Sequence, residues 1–364
     1  MTVIAPTASL PRPADTRRGD KPSQEDYLLI GGVGEAAEAA GLVNAQWYRC
    51  AVPRATMKAL MQRRDGPAIR DTLLWFAVVG LSGAAMAAAW GTAWFVPAFF
   101  IYATLYCGPA DSRWHEAGHG TPFKTRWMSD ALYQVASFMV LRRPTRWRWS
   151  HARHHTDTLI VGRDPEIAAP VPTDLLTMGL NLFALKGGPK ELARVVANAF
   201  GRLDAQEKTF VPEMEWPKLV REARLWLLVY AAVSGVALLT QSWLPLFFVG
   251  LPSFVGAWLY NFFGLTQHAG LPENVLDHRR NCRTVHMNPV FRFLYWNMNY
   301  HVEHHMFPMV PYHALPALHE LIKADCPPAY KGTVEAYAEI IPALLRQRRE
   351  PRWHVERPIP APQA

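Results

Sequence analysis

The chain has 364 residues, half of them hydrophobic, with 14 Trp, 17 Phe and a formal charge of +8. That length fills one large domain or two ordinary ones. Its basic residues flank apolar runs instead of forming one solvated arm, which argues against a nucleic-acid partner and for a membrane surface. Four cysteines (Cys50, Cys107, Cys282 and Cys326) lie far apart with no C-x-x-C, so no disulfide framework, iron–sulfur site or zinc ribbon is expected. A reducing, cytosol-facing protein fits that usage.

In chain order, residues 1–26 are polar and rich in Pro and Arg, which predicts a disordered tail and not a signal peptide. Residues 27–71 are expected to form a cytosolic, partly amphipathic segment. Within it, Gly32-Val33-Gly34-Glu35-Ala36-Ala37 is a loose G-x-G-x-x-A. A dinucleotide site needs a βαβ unit and an acid about 20 residues on. Neither follows, and a short helix entered through a glycine loop is the expectation. From Pro53 to Arg64 apolar and basic residues interleave, which predicts an amphipathic helix at a membrane face.

Residues 72–107 form an apolar block too long for one crossing, which takes about 20 helical residues. Gly91-Thr92 supplies a turn, so two crossings are read, Thr72–Trp90 and Ala93–Cys107. Residues 225–265 divide likewise at Gln241-Ser242 into Leu225–Thr240 and Trp243–Phe263. Pro245 and Pro252 are tolerable there if neighbours satisfy the freed carbonyls. Between the blocks, 108–224 reads as a cytosolic cap, with Trp127–Leu141 and Thr173–Lys186 as interfacial or cap helices. Residues 266–350 continue the cap with helices over Pro311–Cys326 and Thr333–Arg346, and 351–364 form a Pro-rich tail read as disordered. The fold class is therefore an all-α membrane protein, with four transmembrane helices in two hairpins beneath a helical cap.

Charge orients it. Arg54, Lys58, Arg63, Arg64 and Arg70 precede the first block, and Arg113, Lys124, Arg126, Arg142 and Arg143 follow it. Lys218, Arg221 and Arg224 precede the second; Arg279, Arg280 and Arg283 follow. The two turns between crossings carry no charge. By the positive-inside rule, both termini and the cap are cytoplasmic.

The cap carries the chemistry. His301, His304 and His305 form H-x-x-H-H in Asn-Tyr-His-Val-Glu-His-His, and the same spacing recurs at His151, His154 and His155. His115 and His119 stand at i, i+4. These clusters take eight of the 14 histidines. Helical spacing lets such histidines share a face, and imidazole suits iron, zinc, copper and nickel. His115-Glu116-Ala117-Gly118-His119 also satisfies H-E-x-x-H, the zinc metalloprotease pattern. That reading leaves two H-x-x-H-H clusters idle. So many nitrogens suggest two metals with open positions, as in iron sites that activate dioxygen. A histidine-lined transporter would place its ligands at mid-membrane, and these lie in the flanks.

With its boxes His115/His119, His151/His154/His155 and His301/His304/His305 in this order around two apolar hairpins, the sequence resembles the integral-membrane fatty acid desaturase and hydroxylase family from about Pro53 to His319. The run His154-His155-Thr156-Asp157-Thr158, ending in Arg163-Asp164-Pro165-Glu166, is similar too. The resemblance implies four transmembrane helices, a non-haem di-iron centre of two iron ions, and O2 as co-substrate. It also implies a ninth ligand on the helix after the fourth crossing, where His268 stands. Acyl-CoA desaturases carry an asparagine four residues before that histidine. Here that position is Gly264, with Asn261 on the same helical face one turn earlier. Glu116, Asp157, Asp164 and Glu303 are expected to orient ligand imidazoles.

What the resemblance implies of function is a fatty acyl desaturase. A hydroxylase or ketolase acting on a carotenoid, alkane or other lipid shares similar boxes, and the late box looks like the carotenoid ketolase version. The chain has no His-Pro-Gly-Gly, flavin or ferredoxin motif, which implies a separate ferredoxin, rubredoxin or cytochrome b5 type donor. The Arg142–Arg153 stretch is the basic face on which an acidic donor would dock.

Overall fold

The computed structural model describes residues 22–360, so most of the expected N-terminal tail lies outside it. Among the described residues all regular structure is helical, apart from two isolated β-bridges. Order begins earlier than residue 27. A single 3-10 turn spans Gln24–Tyr27, and Gln24 donates to the Pro172 carbonyl at 2.7 Å. Helix α1 (Gly32–Ala39) enters through Gly31 at φ 134°, which a Cβ-bearing residue would resist. Helix α2 (Arg54–Leu60) is the expected amphipathic segment.

The first hairpin pairs α3 (Asp65–Ala88) with α4 (Phe95–His119) through a turn at Gly91, φ 80°. Helix α4 does not stop where the apolar run stops at Cys107. It continues for twelve more residues as one rod, carrying His115 and His119 rigidly below the apolar half. The cap segment then folds as α5 (Arg126–Met139), α6 (Pro144–Thr156), α7 (Leu175–Asn181) and α8 (Gly187–Ala199).

The second hairpin begins with α9 (Trp216–Leu239). Its return leg is broken into α10 (Leu244–Phe248), α11 (Pro252–Val255) and α12 (Ala257–His268). The breaks follow the sequence: Pro245 and Pro252 lack the N–H a continuous helix needs, and Gly250 takes φ 102°. Three helical stretches, Arg54–Ala88, Glu213–Leu239 and Leu244–His268, are long and apolar enough to cross a membrane. Their flanks leave Leu81, Val96, Leu228 and Leu239 exposed, an apolar surface too large for water contact alone.

Close packing between the hairpins comes from small residues. A Cβ on Gly256 would stand 1.9 Å from the Ala103 carbonyl oxygen, and one on Gly108 would stand 2.6 Å from Leu259 Cδ2. The backbones of α4 and of the α11–α12 junction therefore touch where neither could bear a side chain.

The remaining helices, α13 (His278–Asn281), α14 (Pro289–Leu294), α15 (His301–Met306), α16 (Leu315–Ile322) and α17 (Thr333–Gln347), wrap the lower end. Arg113, fully buried on α4, donates to the carbonyls of Leu294 at 2.7 Å and Phe293 at 3.0 Å, capping α14 just upstream of the last histidine box. The C-terminal segment differs from expectation through residue 360. Val355 is buried against Leu271 and Ala343, and its N–H donates to the Gly270 carbonyl at 2.9 Å. A buried β-branched side chain and a strand-like hydrogen bond hold a segment whose prolines suggested disorder.

Replacing Gly256 by Leu should separate α4 from α11 and destabilise the protein by at least about 2 kcal/mol, the scale of overpacking. Gly235 on α9 has open space where its Cβ would be. Thermal unfolding in detergent should show a large fall in Tm for Gly256→Leu and none for Gly235→Ala.

Candidate metal centre

Four helices deliver the histidines to one place. Helix α4 brings His115 and His119, α6 brings His151, His154 and His155, α15 brings His301, His304 and His305, and α12 ends on His268. Their nitrogens form two sets, each within 4.8 Å. One holds His115, His119, His151, His155 and His304; the other holds His154, His268, His301 and His305.

Helix geometry explains the partition. At about 100° per residue, positions i and i+4 differ by about 40°, while i+3 lies about 60° to the other side. Thus His151 and His155 go to the first set and His154 to the second. His301 and His305 go to the second, and His304 crosses to the first. Each H-x-x-H-H box gives a pair to one set and its middle histidine to the other, binding the two sets together.

Within the sets, Nε2 atoms face one another at separations too short and too many for hydrogen bonds. His151 Nε2 lies 3.1 Å from that of His119 and 3.0 Å from that of His155, which is 3.2 Å from that of His304. In the second set, His301 Nε2 lies 3.0 Å from those of both His268 and His305. A neutral imidazole has one N–H and one lone pair. His268 Nδ1 meets the Asn281 carbonyl at 2.7 Å, an oxygen that only accepts, so the proton is on Nδ1 and Nε2 offers its lone pair. Carboxylates assign the same tautomer to His151, through Glu166 at 2.9 Å, and to His154, through Asp164 at 2.9 Å. Converging lone pairs repel unless a cation lies between them. Nitrogens about 2.1 Å from a metal and 90° apart are separated by about 3.0 Å, so the donor set fits a resident metal in each position.

The electrostatics agree. Burial and the surrounding imidazoles hold His155, His301, His304 and His305 well below the ordinary histidine range, which keeps their lone pairs free. Burial opposes a proton on His154 too, but the Asp164 carboxylate outweighs it and shifts that histidine upward. Burial alone would raise Glu166, yet His151, His154 and the Ser150 hydroxyl hold it down at about 2.

The carboxylates divide differently from expectation. Asp164 reaches His154 and is itself fixed by the Leu159 and Glu166 N–H groups, both at 2.8 Å. Glu116 is buried, with Oε1 3.7 Å from His304 Nδ1, while its other oxygen accepts from Thr121 at 2.8 Å and the Tyr312 N–H at 3.1 Å. That use leaves the metalloprotease pattern without a free base. Asp157 pairs with Arg163 instead of a histidine ligand, and Glu303 turns to His319 and Thr284. Helical rotation aims Glu303 away from the nitrogens on either side of it. Glu166 was the carboxylate missing from the sequence expectation, although its Asp-Pro-Glu run was in view. The Asn281 carbonyl could not have been found, since a backbone oxygen has no residue-type signal.

Of the other histidines, His278 is buried, stacked on Trp47 at 4.3 Å and near His305. It forms a third close group with Cys282 and His305. Burial pushes the Cys282 thiol well up, keeping it protonated and a poor ligand. His305 is already used by the second set.

A cavity of about 690 Å³ opens onto both sets, its wall including His115, His151, His154, His268 and His301. Gly264 lines it, with nothing within 4 Å of where its Cβ would be, so the position of the family's asparagine is open space beside His268. Asn261 does not fill that place: its amide nitrogen donates to the Asn181 carbonyl at 2.8 Å and the Ala257 carbonyl at 3.0 Å.

The expected basic docking face is not there. Arg142 pairs with Asp111 on the cavity wall, and Arg143 is fully buried between Glu191 at 3.1 Å and Glu207 at 2.7 Å. Arg146 also reaches Glu207, Arg148 is 3.7 Å from Asp130, and Arg153 donates to the Thr209 carbonyl. A sequence run of arginines could not reveal that acids from α8 and its following loop neutralise them.

Fold and site define the class: a helical membrane protein whose polar end holds two adjoining polyhistidine sets above a cavity. The Fatty acid desaturase family model matches residues 93–337, and the chain belongs to that family of desaturase and hydroxylase-type oxidoreductases.

Substituting Asp164→Asn or Glu166→Gln should weaken metal binding roughly 10–100-fold by releasing the tautomer of His154 or His151. Glu303→Gln should leave affinity near wild type. Metal titration of the three purified variants separates these outcomes. His268→Ala should lower metal occupancy selectively at the second set, so quantitative metal analysis should find close to half the wild-type content.

Proposed function

We propose that this chain is an O2-dependent di-iron oxidoreductase acting on an unactivated C–H bond of a lipid, with fatty acyl desaturation as the leading reading. One observation carries it: two sets of buried, neutral imidazoles face a common cavity in a member of the Fatty acid desaturase family. The ligands are His115, His119, His151, His155 and His304 at one ion, and His154, His268, His301 and His305 at the other. Two iron ions bound there would supply the oxidising power, drawn from O2, that such a bond demands. The protein's part is positioning. Asp164, Glu166 and the Asn281 carbonyl hold Nδ1 protons and aim Nε2, while the gap at Gly264 leaves room beside His268 for water or substrate.

Four crossings follow if α4 joins the three apolar stretches as a span, since an antiparallel hairpin partner of α3 must return through the same layer. Arg and Lys at the histidine end, with uncharged turns at the other, support a cytoplasmic centre and cytoplasmic termini. Electrons come from a separate ferredoxin, rubredoxin or cytochrome b5 type protein, and no nucleic acid takes part. A second reading, hydroxylation or ketone formation on another lipid, draws support from Asp111, Arg142 and Gln267 on the cavity wall, polar groups that a plain alkyl chain does not require.

Purified protein should contain two irons per chain with a diferric absorption spectrum; one zinc and no iron would overturn the reading. His304→Ala should abolish turnover while leaving membrane insertion intact. Lipid analysis of cells with and without the gene should reveal a product with a new double bond, or with a new hydroxyl or keto oxygen for the second reading.

A further inference from the structure

Arg142 is the one guanidinium on the cavity wall, and its surroundings are unusual for a lipid channel. It leaves α5 for α6 in the loop just after Leu141 and points into the cavity with its side chain 21% exposed. Its cationic head lies 4.5 Å from the Trp114 ring centre, 5.0 Å from Trp147 and 5.1 Å from Tyr260, all three cavity residues. One indole separates it from the metal centre, since the Trp114 ring is 5.6 Å from that of His151. A guanidinium has five N–H donors. Among the described residues the Arg142 side chain makes one hydrogen bond, to Asp111. The indole N–H groups of Trp114 and Trp147 are buried without an acceptor. Donors thus outnumber acceptors in a pocket that is otherwise closed by aromatic rings, and leaving such groups unsatisfied is costly.

We propose that the cavity is built for a lipid bearing a neutral oxygen, as hydroxyl, ether or carbonyl, which Arg142 holds close to the carbon that is oxidised. This rests on the reading of the centre as a lipid C–H oxidase and narrows its substrate class. The oxygen is neutral because the pocket's charge is already balanced. Asp111 pairs with Arg142, and Glu166 on the same wall is held ionised by His151, so an anion would meet two carboxylates for one guanidinium. A neutral oxygen accepts the spare N–H groups without that repulsion, and the aromatic rings cover the alkyl part. Arg142 is a positioning residue: it fixes which carbon faces the histidines and touches neither metal.

Three probes of one chain length test this on the full-length protein in detergent: dodecane, 1-dodecanol and dodecanoate, with affinity read from ligand-induced Tm shifts and competition binding. Wild type should prefer the alcohol to the alkane roughly tenfold or more, the scale of a hydrogen bond to a charged donor. It should not prefer the carboxylate to the alcohol. Arg142→Met should erase the alcohol preference, and Arg142→Lys, which keeps the charge and the Asp111 pair, should retain part of it. Detergent partition of each probe is the same for every variant, so wild-type-to-variant ratios report the pocket alone. Equal binding of alcohol and alkane by wild type overturns the proposal even if Arg142→Met fails to fold. Tightest binding of dodecanoate overturns the neutral oxygen. The binding readout needs no turnover, so absence of iron in the purified protein would sink the oxidase reading while leaving the pocket's preference separately measurable.

Discussion

Everything at the polar end of this protein depends on holding imidazole lone pairs against one another. Nε2 atoms at 3.0–3.2 Å, each on a neutral ring whose proton is fixed at Nδ1 or whose burial forbids a charge, are an arrangement that costs energy when empty. The fold must therefore be stiff enough to keep them there before a cation arrives. Helix α4 supplies stiffness by running unbroken from the apolar half into the cap, so His115 and His119 inherit the rigidity of a membrane-length rod.

The other two boxes are tied down by buried polar contacts. Glu222 on α9 accepts from the Thr145 N–H at 2.9 Å and its hydroxyl at 2.7 Å, capping α6 and fastening the second box to the second hairpin. Arg143, buried between two glutamates, locks the same helix to α8 and the loop beyond it. Such buried pairs add little net stability over apolar packing, but breaking one leaves an uncompensated charge, so they enforce a single geometry. On the opposite side Arg113 and Glu116 on α4 hold the chain before and after α15, which at six residues could not place three histidines by itself.

The same arginines show how one residue type serves unlike purposes. In sequence, Arg142, Arg143, Arg146 and Arg148 form a single basic run. In the fold, Arg143 and Arg146 are internal ties, Arg148 stands near the exposed Asp130, and Arg142 faces the cavity from a nest of aromatic rings. The docking site of a redox partner has to be sought elsewhere on the surface. The cavity, in turn, owes its polar wall to residues from α4, the α5–α6 loop and α12, which meet only after both hairpins have closed.

The amino-acid sequence by itself determined what depends on local pattern. Apolar blocks long enough to cross a bilayer, a glycine turn at Gly91, proline breaks in the second return leg, and H-x-x-H-H spacing all act within a few residues, so helix period and transfer energetics make them legible. The nine histidines, His268 among them through its place after an apolar block, were in view for the same reason. Tertiary structure alone decided which histidine joins which set, because that depends on the rotation of α6 and α15 about their axes relative to α4 and α12. It also decided that α4 outruns its apolar segment, that Asp157 and Glu303 turn to Arg163 and His319, and that Val355 docks a proline-rich tail. Each of those outcomes is a contact between residues far apart in the chain. Such a contact is selected by the burial and charge balance of the assembled protein, and no local spacing encodes it.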